Sequence, residues 1–153
     1  MNCFTDRNNV NIMGVLLDTG FLYGLKDVND PRHDQAAKIL ESFNWTEHAP
    51  AVTTDLIVAE VYSLLNARSK GNKMLYPAFN ELFWGSECFF RIRFLDNDDF
   101  KHIVEILEKF TSPKKLLSMA DAALIYISQQ ASYETIISFD EHFDGIMTRI
   151  TDF

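Results

Sequence analysis

Short apolar runs of strand length alternate along this sequence with longer segments whose apolar residues recur at helical spacing. The strand-length runs lie at residues 14–17, 51–53, 88–96 and 135–139, and a last edge strand is predicted within 148–153. Strands that alternate with helices are typical of a largely parallel sheet with helices on both faces. The pattern therefore predicts an α/β protein.

Each predicted helix begins at a polar or proline-containing stretch. Asp30 precedes Pro31, and the helix after the second strand starts at Thr54 or Asp55. Acidic residues cap a later helix, and a Ser-Pro pair predicts the start of the last one. The predicted helices cover residues 30–43, 54–67, 74–84, 96–110 and 112–130.

Two acids directly follow predicted strands, Asp18 after residues 14–17 and Asp140 after residues 135–139. In open parallel sheets, binding sites form beyond the carboxyl ends of the strands. The fold prediction therefore brings these two carboxylates towards the same edge of the sheet.

The chain of 153 residues is long enough for one domain with its own core, predicted at residues 13–153 after a flexible polar tail at 1–12. No apolar run could span a membrane, and the polar opening is not a signal peptide. Cys3 and Cys88 lie far apart and match neither a disulfide framework nor a zinc site. Reduced thiols in a cytoplasmic protein are therefore predicted.

The formal net charge of −8 argues against nucleic-acid binding through overall basicity, because phosphate affinity comes from clustered lysine and arginine. An enzyme that gathers carboxylates around divalent cations carries a similar excess of acids, which the bound metal partly cancels. The net charge therefore makes nucleic-acid binding a less favoured function but does not exclude it.

Four acids lie in apolar surroundings, where an unpaired charge is costly: Asp18, Glu60, Asp121 and Asp140. Each alone has an ordinary explanation as a cap, a turn residue or a surface residue. Clustered carboxylates raise one another's pKa unless a cation neutralises them. Mg²⁺ prefers such oxygen ligands and leaves positions for phosphate oxygens, so the set points to phosphodiester hydrolysis.

Other enzyme classes fit less well. The triplet at residues 18–20 matches the active-site triplet of aspartic proteases, but those are all-β and this chain is rich in helix. A haloacid-dehalogenase-like phosphatase would need a second aspartate where Gly20 stands, and the acid pair and late lysine of a receiver domain are not evident. The four histidines are scattered, and His142 is predicted to be a surface residue near the site rather than a ligand.

Four stretches, "VLLDTGFLYGL", "VTTDLIVAEVYSLL", "LSMADAALIYIS" and "IISFDEHFDGI", resemble in order and spacing the motifs of PIN-domain nucleases, including VapC-type toxins. The resemblance covers nearly the whole chain from residue 13. It implies a three-layer α/β/α sandwich with a mainly parallel central sheet, and RNA cleavage that depends on one or two Mg²⁺ or Mn²⁺ ions. The positions that match the family's catalytic and metal-binding acids are Asp18, Glu60, Asp121 and Asp140.

Two supporting residues and two departures follow from the same resemblance. Thr19 matches a polar residue after the first acid, and Ser138 matches a small hydroxyl residue that would orient water or metal. Gly20 stands where the family often has serine or asparagine. Asp144 resembles an acidic position of the family's tail and is an alternative metal ligand to Asp140.

Substrate contact requires positive charge, and we expect it from two groups of residues whose ordinary role would be solvated surface. The resemblance implies single-stranded or looped RNA as substrate, a toxin role with an antitoxin partner, and a homodimer. The alternative is a PIN-fold module that binds RNA or protein without cleaving it. The predicted phosphate-binding residues are Arg68, Lys70, Lys73, Lys114 and Lys115.

Overall fold

The computed structural model describes residues 14–131 and 133–153, and the predicted tail at residues 1–12 lies outside them. Within the described residues, short strands alternate with α-helices along the chain, as the sequence predicts. The strands are β1 (Val15–Leu17), β2 (Ala51–Thr54), β3 (Arg91–Arg93), β4 (Thr135–Ile137) and β5 (Thr148–Ile150). The helices are α1 (Thr19–Lys26), α2 (His33–Ser42), α3 (Asp55–Arg68), α4 (Tyr76–Trp84), α5 (Asn97–Phe110) and α6 (Met119–Ala131). Short 3₁₀ helices lie at Lys73–Leu75 and Glu141–Phe143.

The strands form one parallel sheet in the order β3-β2-β1-β4-β5, with β1 at its centre. Every residue of β1 is fully buried. Successive side chains of a strand point to opposite faces, so this burial means that both faces are covered. The predicted three-layer α/β/α sandwich with a mainly parallel central sheet is thus confirmed. The direction of strand order reverses at β1, which is where sites form in such sheets.

Several predicted boundaries are confirmed, but helix α1 was not predicted, the strand predicted at residues 88–96 is shorter at Arg91–Arg93, and one helix start is wrong. Helix α3 begins after Thr54, whose hydroxyl accepts a hydrogen bond from the backbone N–H of Ile57 at 3.3 Å. The helix predicted from Ser112 begins only at Met119, because Ser112 pairs with Lys115 in an isolated antiparallel bridge. Lys114 and Lys115 therefore lie in the loop before α6 and do not open the helix.

A buried carboxylate connects β3, α5 and α6. Asp99 Oδ1 accepts hydrogen bonds from Arg93 Nη2 at 2.8 Å and from the Tyr126 hydroxyl at 2.9 Å. Its Oδ2 accepts the backbone N–H of Asp96 at 3.0 Å, which completes a capping box at the start of α5. These contacts fix the position of α6, the helix that carries Asp121.

Two predictions made from composition have different outcomes. Among the described residues, no helix combines the length and apolar character that crossing a membrane requires. Cys88 is buried and is not a free thiol, so the prediction of a reduced thiol is wrong for this residue. Cys3 lies outside the described residues.

Candidate metal centre

Neighbouring strands bring the first and last of the predicted acids together. Asp18 follows β1, and its backbone N–H donates to the carbonyl of Ile137 in β4 at 3.2 Å. The hydroxyl of Ser138 donates to Asp18 Oδ2 at 2.5 Å and accepts the backbone N–H of Asp140 at 3.0 Å. The other Asp18 oxygen accepts the N–H of Thr19 at 2.7 Å and so caps α1. Ser138 thus links the two strand-end acids directly.

A reciprocal pair of hydrogen bonds holds Asp121 at the start of α6. Its Oδ2 accepts the backbone N–H of Ser118 at 2.9 Å, and its own N–H donates to the Ser118 hydroxyl at 3.0 Å. This is the pattern of a capping box, which fixes both the helix start and the carboxylate. Asp121 is buried although it lies in the first helical turn.

Glu60 reaches the same place from the second turn of α3, and it is half-buried. Desolvation raises its pKa, and the carboxylates of Asp121 and Asp140 raise it further. The hydroxyl of Thr19 lies near enough to lower this pKa, yet it makes no hydrogen bond of acceptable geometry within the described part of the chain. Thr19 is therefore a buried hydroxyl that lies beside the Glu60 carboxylate.

All four acids line one open cleft of about 940 Å³ at the carboxyl edge of the sheet. Burial raises the pKa of Asp18 to about 7, and the nearby Asp121 and Glu60 carboxylates add to the shift. Hydrogen bonds from Ser138 and from the N–H of Thr19 oppose the increase. An acid with this pKa is partly protonated at neutral pH, so a divalent cation that binds it displaces a proton.

His142 also enters the cleft, and sequence reasoning did not assign it there as a ligand. Its Nδ1 lies 3.2 Å from Asp140 Oδ2 and 3.3 Å from Asp121 Oδ2. One ligand atom from each of these three residues lies within 4.8 Å of the other two. The available signal was its position two residues after Asp140, at the end of a strand. Carboxylates, a free hydroxyl and an imidazole together suit a divalent cation.

The remaining predicted residues divide into two groups. Lys114 and Lys115 line the cleft. Asp144 does not: it is exposed and forms a bidentate ion pair with Arg149 at 2.6 and 2.9 Å, and these hydrogen bonds lower its pKa. Asp144 therefore already has a cationic partner outside the cleft.

The predicted basic loop lies away from the acids. Arg68 pairs with Asp30, and its guanidinium stacks over the ring of Tyr23 at 4.7 Å. Lys70 and Lys73 are exposed residues beyond the end of α3. Arg68 lies eight positions after Glu60 along α3, a rise of about 12 Å. None of the three lines the cleft.

Solved structures with the same fold include VapC20 of Mycobacterium tuberculosis, described as a sarcin-ricin loop cleaving toxin. It is 18% identical, with a TM-score of 0.69 over 85% of this chain and 92% of that one. A toxin-antitoxin complex from Klebsiella pneumoniae is 20% identical, with a TM-score of 0.56 over 92% and 98% of the two chains. FitAcB from Neisseria gonorrhoeae is 18% identical, with a TM-score of 0.59 over 89% and 96%.

Among curated proteins, no sequence matches this chain. The model of the PIN domain matches residues 15–146, which includes every acid of the cleft and the strands that carry them. The match spans most of the chain, and it agrees with the sheet order and with the resemblance of the four motifs. The chain belongs to the PIN domain family.

Proposed function

We propose that this protein is a divalent-metal-dependent endoribonuclease that hydrolyses RNA phosphodiester bonds. The observation that carries the proposal is the convergence of Asp18, Glu60, Asp121 and Asp140 in one open cleft. Four carboxylates in such proximity are unfavourable without a cation, and Asp18 and Glu60 already show raised pKa values. Membership of the PIN family and the toxin structures with the same fold support the same chemistry.

In the proposed site, the four acids would hold one or two Mg²⁺ or Mn²⁺ ions. When bound, a divalent cation activates water at neutral pH and stabilises charge on phosphate oxygens. Ser138 fixes the carboxylate of Asp18 and the turn that carries Asp140. Thr19 adds an oxygen that is otherwise without a partner in the described residues.

The rim of the cleft supplies the positive charge for substrate binding. Lys114 and Lys115 lie on the loop before α6, and Arg32 lies against the ring of Phe139 at 5.3 Å. We assign the phosphate contacts nearest the scissile bond to these cations. The segment from Arg68 to Lys73 would contact only RNA that extends along α3, because it lies beyond the cleft.

Single-stranded or looped RNA is the proposed substrate, because an exposed backbone can enter an open cleft more readily than a duplex. The description of VapC20 as a toxin that cleaves an RNA loop favours the same class. A toxin role, an antitoxin partner, a homodimer and a cytoplasmic location are further proposals. Two of the similar structures, a toxin and a toxin-antitoxin complex, support the first two.

The test is cleavage of end-labelled single-stranded and hairpin RNA by the purified protein with Mn²⁺. Asp121→Asn keeps an oxygen that can accept the Ser118 N–H, so it should fold normally and lose cleavage. Asp144→Asn is the matched control, since that carboxylate lies outside the cleft and should be dispensable. Hydrolysis of the proposed kind leaves a 5′-phosphate and a 3′-hydroxyl, and EDTA should prevent it.

A PIN-fold module that binds RNA or protein without cleaving it is the competing function. Equal cleavage by the wild type and by Asp121→Asn would identify a contaminating nuclease and remove support for the site. RNA binding by folded protein, without metal-dependent cuts in either substrate, would favour the binding module.

A further inference from the structure

We propose that His142 supplies an imidazole nitrogen to the bound cation and thereby biases this site towards Mn²⁺ and other transition ions over Mg²⁺. The inference rests on the proposed metal centre and adds to it a ligand of a different chemical class. It starts from the position of Nδ1, 3.2 Å from Asp140 Oδ2 and 3.3 Å from Asp121 Oδ2.

These separations are the ones expected between ligand atoms that share an ion. With ligands about 2.1–2.2 Å from an octahedral ion, adjacent ligand atoms are about 3.0–3.1 Å apart. Two ligand atoms on opposite sides of such an ion would be about 4.2–4.4 Å apart. One ligand atom from each of His142, Asp121 and Asp140 lies within 4.8 Å of the other two, which is close to this upper limit. The three side chains can therefore converge on one ion with only small adjustments.

The two contacts of His142 Nδ1 with the carboxylates fit joint coordination of one cation better than they fit a hydrogen-bonded ion pair. A single Nδ1 proton would have to serve two carboxylate oxygens at 3.2 and 3.3 Å. Charge-assisted N–H···O bonds are normally about 2.7–2.9 Å long. Nδ1 thus has no short partner of its own, although it points between two carboxylates.

The local fold holds the backbone of His142 beside the acids before any ion arrives. Asp140 Oδ1 accepts the backbone N–H of His142 at 2.9 Å and caps the 3₁₀ helix. The next residue, Phe143, is fully buried and anchors that turn in the core. The His142 side chain is 30% exposed, so an ion from solvent can reach it.

The buried Thr19 hydroxyl is a second, independent feature of the same cleft. Its Oγ1 has no hydrogen-bond partner within the described residues, and Thr19 lines the cleft beside Asp18. A buried hydroxyl without a protein partner is uncommon in native proteins, and a polar group bound in the cleft would satisfy it. The cleft therefore offers more than a group of acids.

The consequence concerns which cation binds. Mg²⁺ prefers oxygen ligands and retains its waters, and Mn²⁺ also suits oxygen ligands, whereas imidazole suits Fe²⁺, Ni²⁺, Cu²⁺ and Zn²⁺. As a transition ion, Mn²⁺ accepts a nitrogen ligand more readily than Mg²⁺ does. Loss of the nitrogen should weaken Mn²⁺ binding by about tenfold, and not by more, because Mn²⁺ also suits the remaining oxygen ligands. Mg²⁺ binding should change by less than about threefold, because the oxygen ligands remain.

The experiment is pulsed electron paramagnetic resonance of the full-length protein loaded with Mn²⁺. Imidazole coordination gives ¹⁴N modulation, which should change to the ¹⁵N pattern when the wild type is grown with ¹⁵N-histidine. The modulation should disappear in His142→Gln. It should persist in His102→Gln, where an exposed histidine on α5 contacts Glu105 instead. Calorimetric titrations with Mn²⁺ and Mg²⁺ measure the two affinities in each variant.

The possible results distinguish a failure of the role proposed for His142 from a failure of the four-acid metal centre. Mn²⁺ that binds without histidine nitrogen modulation in the wild type would overturn the role of His142 and leave the four-acid site standing. Modulation that persists in His142→Gln would also overturn it. Absence of any Mn²⁺ binding by folded wild-type protein would overturn the metal centre and the proposed function with it. The labelled wild type gives an answer even if the variant does not fold.

Discussion

Neutralising Asp18 should make the metal-free protein more stable at high pH, although it removes a residue of the proposed site. Burial raises the pKa of Asp18 from 3.8 to about 7, so ionisation opposes the folded state. The stability that the neutral acid provides is complete below pH 3.8 and is lost as pH rises through 7. In Asp18→Asn the side chain stays neutral at every pH.

The size of the effect follows from the pKa difference. Raising this pKa from 3.8 to about 7 corresponds to about 4 kcal/mol of unfolding free energy once pH exceeds 7. Between pH 5 and pH 8, about 3 kcal/mol of this difference develops. A separate loss of about 1 kcal/mol is expected at all pH values. It arises because the amide oxygen can accept from only one of Thr19 N–H and the Ser138 hydroxyl.

The assay is urea unfolding of both proteins in EDTA at several pH values, followed by circular dichroism. The unfolding free energy of Asp18→Asn minus that of the wild type should rise by about 3 kcal/mol from pH 5 to pH 8. Added Mn²⁺ should stabilise the wild type, by about 2.7 kcal/mol at one hundred times the dissociation constant, and the variant far less. A difference that stays constant with pH would refute the buried, raised-pKa description of Asp18.

Three further predictions concern stability and binding. Asp99→Ala removes the acceptor of three hydrogen bonds and should lower the unfolding free energy by about 3 kcal/mol in urea titrations. Gly14→Ala should cost about 1–3 kcal/mol in the same assay, because its Cβ would lie 2.6 Å from the carbonyl oxygen of Pro50. Lys115→Glu should weaken binding of single-stranded RNA and reduce its salt slope by about 0.7, measured by fluorescence anisotropy, whereas Lys70→Glu should change both less.

The strands and helices were largely predictable because the residues that they bury recur in the sequence at strand or helix spacing. The apolar runs of β1 and β4 and the helical spacing in α3 and α5 gave nearly correct elements. The start of α6 was missed because Ser112-Pro113 looks like a helix start, whereas the Ser118 capping box is the one that forms. This segment contains two possible N-cap residues for α6, Ser112 and Ser118, and tertiary packing determines which of them starts the helix.

The positions of Asp18 and Asp140 could also be anticipated, since the carboxyl ends of parallel strands share one edge. Glu60 and Asp121 lie on helices, and it was the resemblance to the family motifs that assigned them to the same site. The environment of the other polar residues could not be anticipated. The place of His142 depends on a 3₁₀ turn after Asp140, and its side-chain direction is not encoded in the spacing. Asp144 pairs with Arg149 only because β5 returns beside β4. Such contacts depend on side-chain geometry that a hydrophobic pattern does not contain.

The hydrogen bond between Ser138 and Asp18 joins residues 120 positions apart, and it has a consequence for protein synthesis. A chain that the ribosome has extended only past α6 contains three of the four acids but neither Ser138 nor Asp140. In that intermediate, β1 lacks its neighbour β4, and Asp18 lacks the hydroxyl that holds its carboxylate. The complete centre therefore forms only when β4 and the turn after it have emerged and joined the sheet. Until then, a growing chain cannot bring together the full set of acids that the proposed metal centre requires.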